Sequence, residues 1–174
     1  MSEEEWHYYQ ADDGLFELWL PPGAELAADA LTPPDETLLC WAPQFVSGVF
    51  VILRQPRLEG GQWDILDQER NAGNAVTVEV AEHIEVEGRP VRHLRYRSAK
   101  TRPREAVEDP EPDASTPAIS YLAAGQIVEL TEYLIWEGEK ETISVGYAVD
   151  VDAPADFMAI FAQVLERFRM LKDP

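Results

Sequence analysis

Three histidines, His7, His83 and His93, and a single cysteine, Cys40, are the side chains best suited to metal binding or nucleophilic chemistry in this chain of 174 residues. Their spacing supports neither. No two histidines stand four apart on a helical stretch, and no second cysteine joins them, so a zinc centre lacks ligands. Cys40 lies in the apolar run Leu38-Leu39-Cys40-Trp41 and reads as a small core residue with no base at hand. His83 and His93 are expected to be cross-strand neighbours on a polar sheet face. The phosphate-cradling glycine motifs and the G-x-S-x-G nucleophile turn are absent.

Carboxylates are too frequent here for a pair of them to carry information. Asp150 and Asp152 do not have the converging oxygens that calcium needs. Glu108, Asp109, Glu111 and Asp113 read as a solvated loop. No catalytic residue, cofactor or metal ligand is therefore assigned, and recognition is the chemistry that is left. The candidates for partner binding are Trp19, Trp41, Arg95 and Arg97. Trp19 alternates opposite Phe16, Leu18 and Leu20 and so points away from their core. Trp6, Trp19, Trp41, Trp63 and Trp136 are of a type to line an aromatic groove, with most of them expected in the core.

The net charge of −19 excludes nucleic acid and anionic membrane as partners, because phosphates would be repelled over most of the surface. It suits a basic protein partner, and equally a salt-adapted host. The charge is uneven. Residues 1–53 hold ten acids and no Lys or Arg, whereas 89–104 hold seven bases. No apolar run reaches the ~18 residues of a membrane span. The start Met1-Ser2-Glu3-Glu4-Glu5 has no basic-then-apolar leader pattern, so a cytoplasmic protein is expected.

The elements that must position these residues are legible as periodicities. Leu15–Leu20 alternates as a strand and stops at Pro21-Pro22-Gly23. Ala24–Glu36 reads as a loop with room for one helical turn. Thr37–Ala42 and Gly48–Gln55 are strand-like, and Gln62–Arg70 permits a short helix. Val76–Val86 is expected to put Val76, Val78, Val80, Ile84 and Val86 on one face. Glu87-Gly88-Arg89 then forms a hairpin loop, and Arg95 and Arg97 return beside Glu79 and Glu85, at roughly 0.2–1 kcal/mol a pair. Strands follow at Ile127–Trp136 and Lys140–Val149. Phe157, Ile160, Phe161, Val164, Leu165, Phe168 and Leu171 form one helical stripe within Asp152–Leu171, with Asp152 or Ala153 as its cap. The expected fold class is α+β, an antiparallel β-sheet flanked by helices that closes with an amphipathic C-terminal helix. The whole of 1–174 is expected to be one domain, with a frayed acidic N-terminus at 1–5 and a mobile loop rich in Pro and charge at 100–117.

Three stretches resemble the PsbP-like superfamily, which has the Mog/PsbP-like fold. Gly14-Leu15-Phe16-Glu17-Leu18-Trp19-Leu20-Pro21 resembles its opening "g-F-x-l-x-x-P", and Glu87-Gly88-Arg89-Pro90-Val91 its middle "G-x-p-a" turn. Phe157 through Ile160 and Val164-Leu165-Glu166-Arg167-Phe168-Arg169 resembles its closing "F…i-l-x-S-F-r" helix, with Arg167 in place of a small residue. The resemblance implies an α/β/α sandwich. It also implies a binding or assembly protein rather than an enzyme, as in the PsbP, DcrB-like, LpqN-type and Eag-type members. The reading this favours is a cytoplasmic adaptor that binds a basic or apolar protein segment, in its most concrete form a secretion-effector chaperone. The alternative is a small-molecule or metal-binding domain with a pocket on the sheet.

Overall fold

The computed structural model describes residues 6–24, 36–43, 48–57, 65–101 and 126–174. The expected tail at 1–5, most of the Ala24–Glu36 loop and residues 102–117 of the expected mobile loop lie outside them. Lys100 and Thr101 belong to a strand.

The chain order is β1 (His7–Gln10), β2 (Phe16–Leu20), β3 (Glu36–Trp41), β4 (Gly48–Pro56), α1 (Ile65–Asn71), β5 (Ala75–Val86), β6 (Arg89–Thr101), β7 (Gln126–Glu137), β8 (Glu141–Asp150), α2 (Ala155–Glu166) and β9 (Arg169–Met170). Every strand pairing is antiparallel. The main sheet runs β3-β4-β8-β7-β6-β5, and a small sheet runs β1-β2-β9.

Alternation gives the main sheet two unlike faces. Phe50, Ile52, Val145, Tyr147, Val149, Leu130 and Trp136 share one, and α2 and the small sheet pack there through Phe161, Val164, Phe16 and Phe168. Leu94, Tyr96 and Ile135 lie on the other, under Ile65 and Leu66 of α1. Helices therefore flank the sheet on both sides. Two glycines let layers approach. A Cβ at Gly48 would sit 3.0 Å from the Phe161 ring, and one at Gly146 would strike the Glu132 carbonyl and the Tyr133 ring.

The β5–β6 hairpin departs from expectation in three ways. Glu87 and Gly88 have φ of 52° and 78°, so the turn has two residues and the positive φ values that suit a right-handed strand pair. The register shifts between Val78 and Val80, with Glu79 as the extra residue of a bulge. Val76 and Val78 consequently share the face of Leu94 and Tyr96, while Val80, Ile84 and Val86 lie on the opposite one. The expected single apolar face is split. Finally, Glu82 opposes His93 and His83 opposes Arg92, so the two histidines lie on opposite faces and are not neighbours.

The C-terminal helix is shorter than its periodicity predicts. Pro154 holds the N-cap position with no side-chain capping bond, so neither Asp152 nor Ala153 caps it. The helix stops at Glu166, and Arg167 takes φ −93° and ψ 0°. Phe168 still reaches the core, with ring centroids 5.6 Å from Phe16 and 5.2 Å from Trp136. The next two residues form β9 against β2, and Leu171 is exposed. Arg169 donates to the Glu166 carbonyl at 2.8 Å, where the helix dipole favours a cation. Arg167 lies 4.1 Å from the centre of the Trp6 ring, so the unusual arginine has a cation–π partner.

Candidate functional site

An apolar cleft of about 330 Å³ opens where three chain segments meet. Pro21, Pro22 and Gly23 follow β2, Trp41 and Pro43 end β3, and Phe157 and Ile160 come from the first turns of α2. Each wall has a local cause. The proline pair stops β2 and leaves a rigid turn with no donor to satisfy, and Gly23 takes a φ of 75°. Trp41 is buried, and its ring packs 5.4 Å from Phe161, which stacks in turn on Tyr147 at 5.6 Å and 11°. Phe157 and Ile160 lie about one helical turn before this packed stripe and remain half-buried. Asp152 and Asp156 stand exposed beside them.

The far end of the same sheet face is polar. Tyr147 donates to Glu132 Oε2 at 2.5 Å, and the other Glu132 oxygen lies 2.8 Å from His93 Nε2. His93 Nδ1 is 3.2 Å from Glu82 Oε1. Glu79 holds Arg95 at 3.2 Å and Arg97 at 2.5 Å. Burial and then the Glu132 carboxylate raise the Tyr147 phenol well above its ordinary value. Polar side chains thus meet strand by strand, from Tyr147 on β8 through Glu132 and His93 to Glu82 on β5.

Trp19 is 43% exposed on the outer face of the small sheet, against Tyr8, which is 50% exposed, with ring centres 5.4 Å apart. A second cleft of about 260 Å³ has Tyr9, Asp12, Asp13, Glu36 and Arg54 in its walls. Arg54 there reaches Asp13 at 3.0 Å, Glu36 at 3.4 Å and Glu141 at 3.6 Å. The Leu15 backbone N–H, helped by Arg54, lowers the Asp13 carboxyl. Cys40 is half-buried in β3. Among the described residues no cluster of three His, Cys, Asp or Glu side chains is arranged to hold a metal, and no helix is long and apolar enough to cross a membrane.

The four residues singled out by sequence therefore lie in three places. Trp41 walls the apolar cleft, Trp19 lies on the small sheet, and Arg95 and Arg97 sit together on β6. The role of Glu132 was missed, although it left a signal. It occupies a core-facing position of β7 between Leu130 and Leu134, where an acid needs a buried partner. The cleft left none, because its walls come from segments far apart in sequence.

No family model matches the chain, and no curated protein matches it. Solved structures do. The solution structure of cyanobacterial PsbP (CyanoP) from Synechocystis sp. PCC 6803 superposes with a TM-score of 0.60 at 11% identity, over 98% of this chain and 95% of that one. The Saccharomyces cerevisiae Ran-binding protein Mog1p superposes with a TM-score of 0.51 at 9% identity, over 96% of each chain. The chain has the PsbP-like fold that its opening and closing motifs resemble.

Proposed function

We propose that the chain is a non-enzymatic protein-binding module, a single domain over 1–174 whose Trp41 cleft receives an apolar segment of a partner protein. The observation that carries this reading is an open apolar cleft in a chain of net charge −19. Asp152 and Asp156 beside it select segments flanked by Lys or Arg, which electrostatic steering brings in. Mog1p, a Ran-binding protein of the same fold, supports a protein as the partner. A cytoplasmic chaperone that shields an apolar stretch of a secreted effector is the most specific form of the proposal.

The test compares the wild-type chain with Ile160→Asp and Phe157→Ser, which alter half-buried wall residues and leave Phe161 in place. A photo-crosslinker at position 22, on the opposite wall of the cleft, should capture one abundant partner in moderate salt, and the two substitutions should abolish capture while circular dichroism shows the chain still folded. Equal capture by all three proteins removes the cleft from the reading. A second reading, a small apolar ligand, is favoured by the cleft volume alone, which lies near the lower bound of ligand pockets. Native mass spectrometry of the protein purified from its host separates the two.

A further inference from the structure

Among the described residues, β5 forms one edge of the main sheet. β5 has twelve residues and is the outermost strand, and among the described residues nothing pairs with its outer side. Val76 packs towards α1, and Ile84 and Val86 towards the main core, but most other β5 side chains are exposed, including Val78 at 39%. Edge strands usually carry Lys or Pro, or stay short, because an unpaired ladder recruits other chains. β5 has no Lys and no Pro, and beyond the bulge at Glu79 its register to β6 is regular from Val80 to Val86. The opposite edge, β3, has half the length and a bulge of its own between Thr37 and Leu39.

The charges state what would pair there. Across the open face, Tyr147 on β8 meets Glu132 on β7, Glu132 meets His93 on β6, and His93 meets Glu82 on β5. Arg95 and Arg97 on β6 likewise meet Glu79 on β5. The row through His93 ends on Glu82 and holds two carboxylates on one imidazole, so its next member is a cation, whereas Glu79 is already paired with two guanidiniums. Glu85 adds a third acid to β5, which has no Lys or Arg. A second copy of the chain fits poorly, because two β5 edges would place acids against acids. We propose that β5 accepts an extended basic segment of a partner protein as a seventh strand, with a Lys or Arg beside Glu82 and the Glu85 carboxylate adding to the attraction. Glu79 is left out of this recognition, since Arg95 and Arg97 already neutralise it. The backbone ladder supplies affinity and the acids supply selectivity. This site is separate from the Trp41 cleft and does not depend on it.

The probe is a synthetic peptide alternating Lys with Val and Thr, labelled for fluorescence anisotropy, with hydrogen exchange locating the contact on the full chain. The peptide should protect the amides of Val80–Val86. N-methylation of alternate peptide residues keeps the charge and removes the ladder donors, and should weaken binding at least about tenfold. Glu82→Lys with Glu85→Lys should weaken it by a similar factor and transfer preference to a peptide with Glu in place of Lys. The N-methylation arm uses the unaltered protein, so it stands even where the double variant folds poorly. Equal affinity for the methylated peptide, protection elsewhere, or β5 already protected by self-association each overturns the proposal. Ile160→Asp should leave this binding unchanged, which separates its failure from failure of the cleft.

Discussion

The two ends of the main sheet use the same antiparallel pairing for opposite purposes. At the β3–β4–β8 end, one face carries Phe50, Ile52 and Val145 under Trp41, Phe161 and the small sheet. At the β5–β6 end, Ile84, Val86 and Val91 near the hairpin tip still pack against that core, and beyond them the same face turns polar with Glu79, Glu82, His93, Arg95 and Arg97. The first end is stabilised by removing apolar area from water. The second is held by ion pairs that solvent weakens. Tyr147 and Glu132 mark the boundary, where a phenol stacked on the core ring Phe161 donates to the first carboxylate of the polar row. Stability is therefore concentrated at the covered end, while the open end is free to be reshaped by binding.

The sharpest way to break this comparison is truncation at each end. Phe161→Ala removes a ring that touches both Trp41 and Tyr147 and should cost about 3–5 kcal/mol in urea unfolding. Val80→Ala at the open end should cost less than about 1 kcal/mol. Similar losses would mean that the open end is as tightly packed as the covered one.

The boundary itself is probed by a double-mutant cycle. Glu132→Leu alone leaves the buried Tyr147 hydroxyl without its acceptor and should cost about 1–3 kcal/mol. Adding Tyr147→Phe should recover part of that loss, giving a coupling of about 1 kcal/mol. Strict additivity would show that the hydrogen bond contributes nothing across the boundary.

Alkaline titration sharpens the contrast between covered and uncovered phenols. Burial, with Glu129 and Glu69 nearby, pushes the Tyr133 phenol up to about 12. Burial also raises Tyr96 and Tyr147. The unfolded chain releases these protons near the ordinary value of 10.0 and the native chain does not. Their contribution to stability is thus complete below that value and is lost as pH rises through the folded one. Phenolate absorbance should show exposed Tyr8 ionising reversibly before unfolding, and Tyr96, Tyr147 and half-buried Tyr133 ionising only as the chain unfolds. Titration of all of them in one step with retained near-ultraviolet circular dichroism would contradict the assigned burial.

The same contrast explains what could be read from the sequence. Apolar alternation located β2 and β8, because a half-covered strand must alternate, and the unbroken run Val49–Leu53 located β4. It could not locate the Glu79 bulge, since Val76 through Val86 keep even spacing in sequence while the chain rotates by one residue in space. Helical periodicity likewise carried through Phe168 to Leu171. It passed over the end at Glu166, because Phe168 is buried in either conformation and only pairing with β2 selects a strand. Trp19 was legible as outward-facing because its own strand neighbours fix its face. The Trp41 cleft was not, because Pro21, Pro43 and Ile160 meet only in the folded chain.

The smallest expected effect compares two arginines. Arg54, at the covered end, reaches three carboxylates from three elements, so Arg54→Met leaves Asp13, Glu36 and Glu141 with no cation between them. That should cost about 1 kcal/mol or more, since like charges are left together. Arg97 is half-exposed and, among the described residues, shares its ion-pair partner Glu79 with Arg95. Arg97→Ala therefore leaves the carboxylate still paired and should cost less than about 0.5 kcal/mol, a difference that vanishes in high salt. A larger, salt-resistant loss at Arg97 would show that the open row carries structure of its own, and the division of the sheet into a stabilising end and a binding end would have to be redrawn.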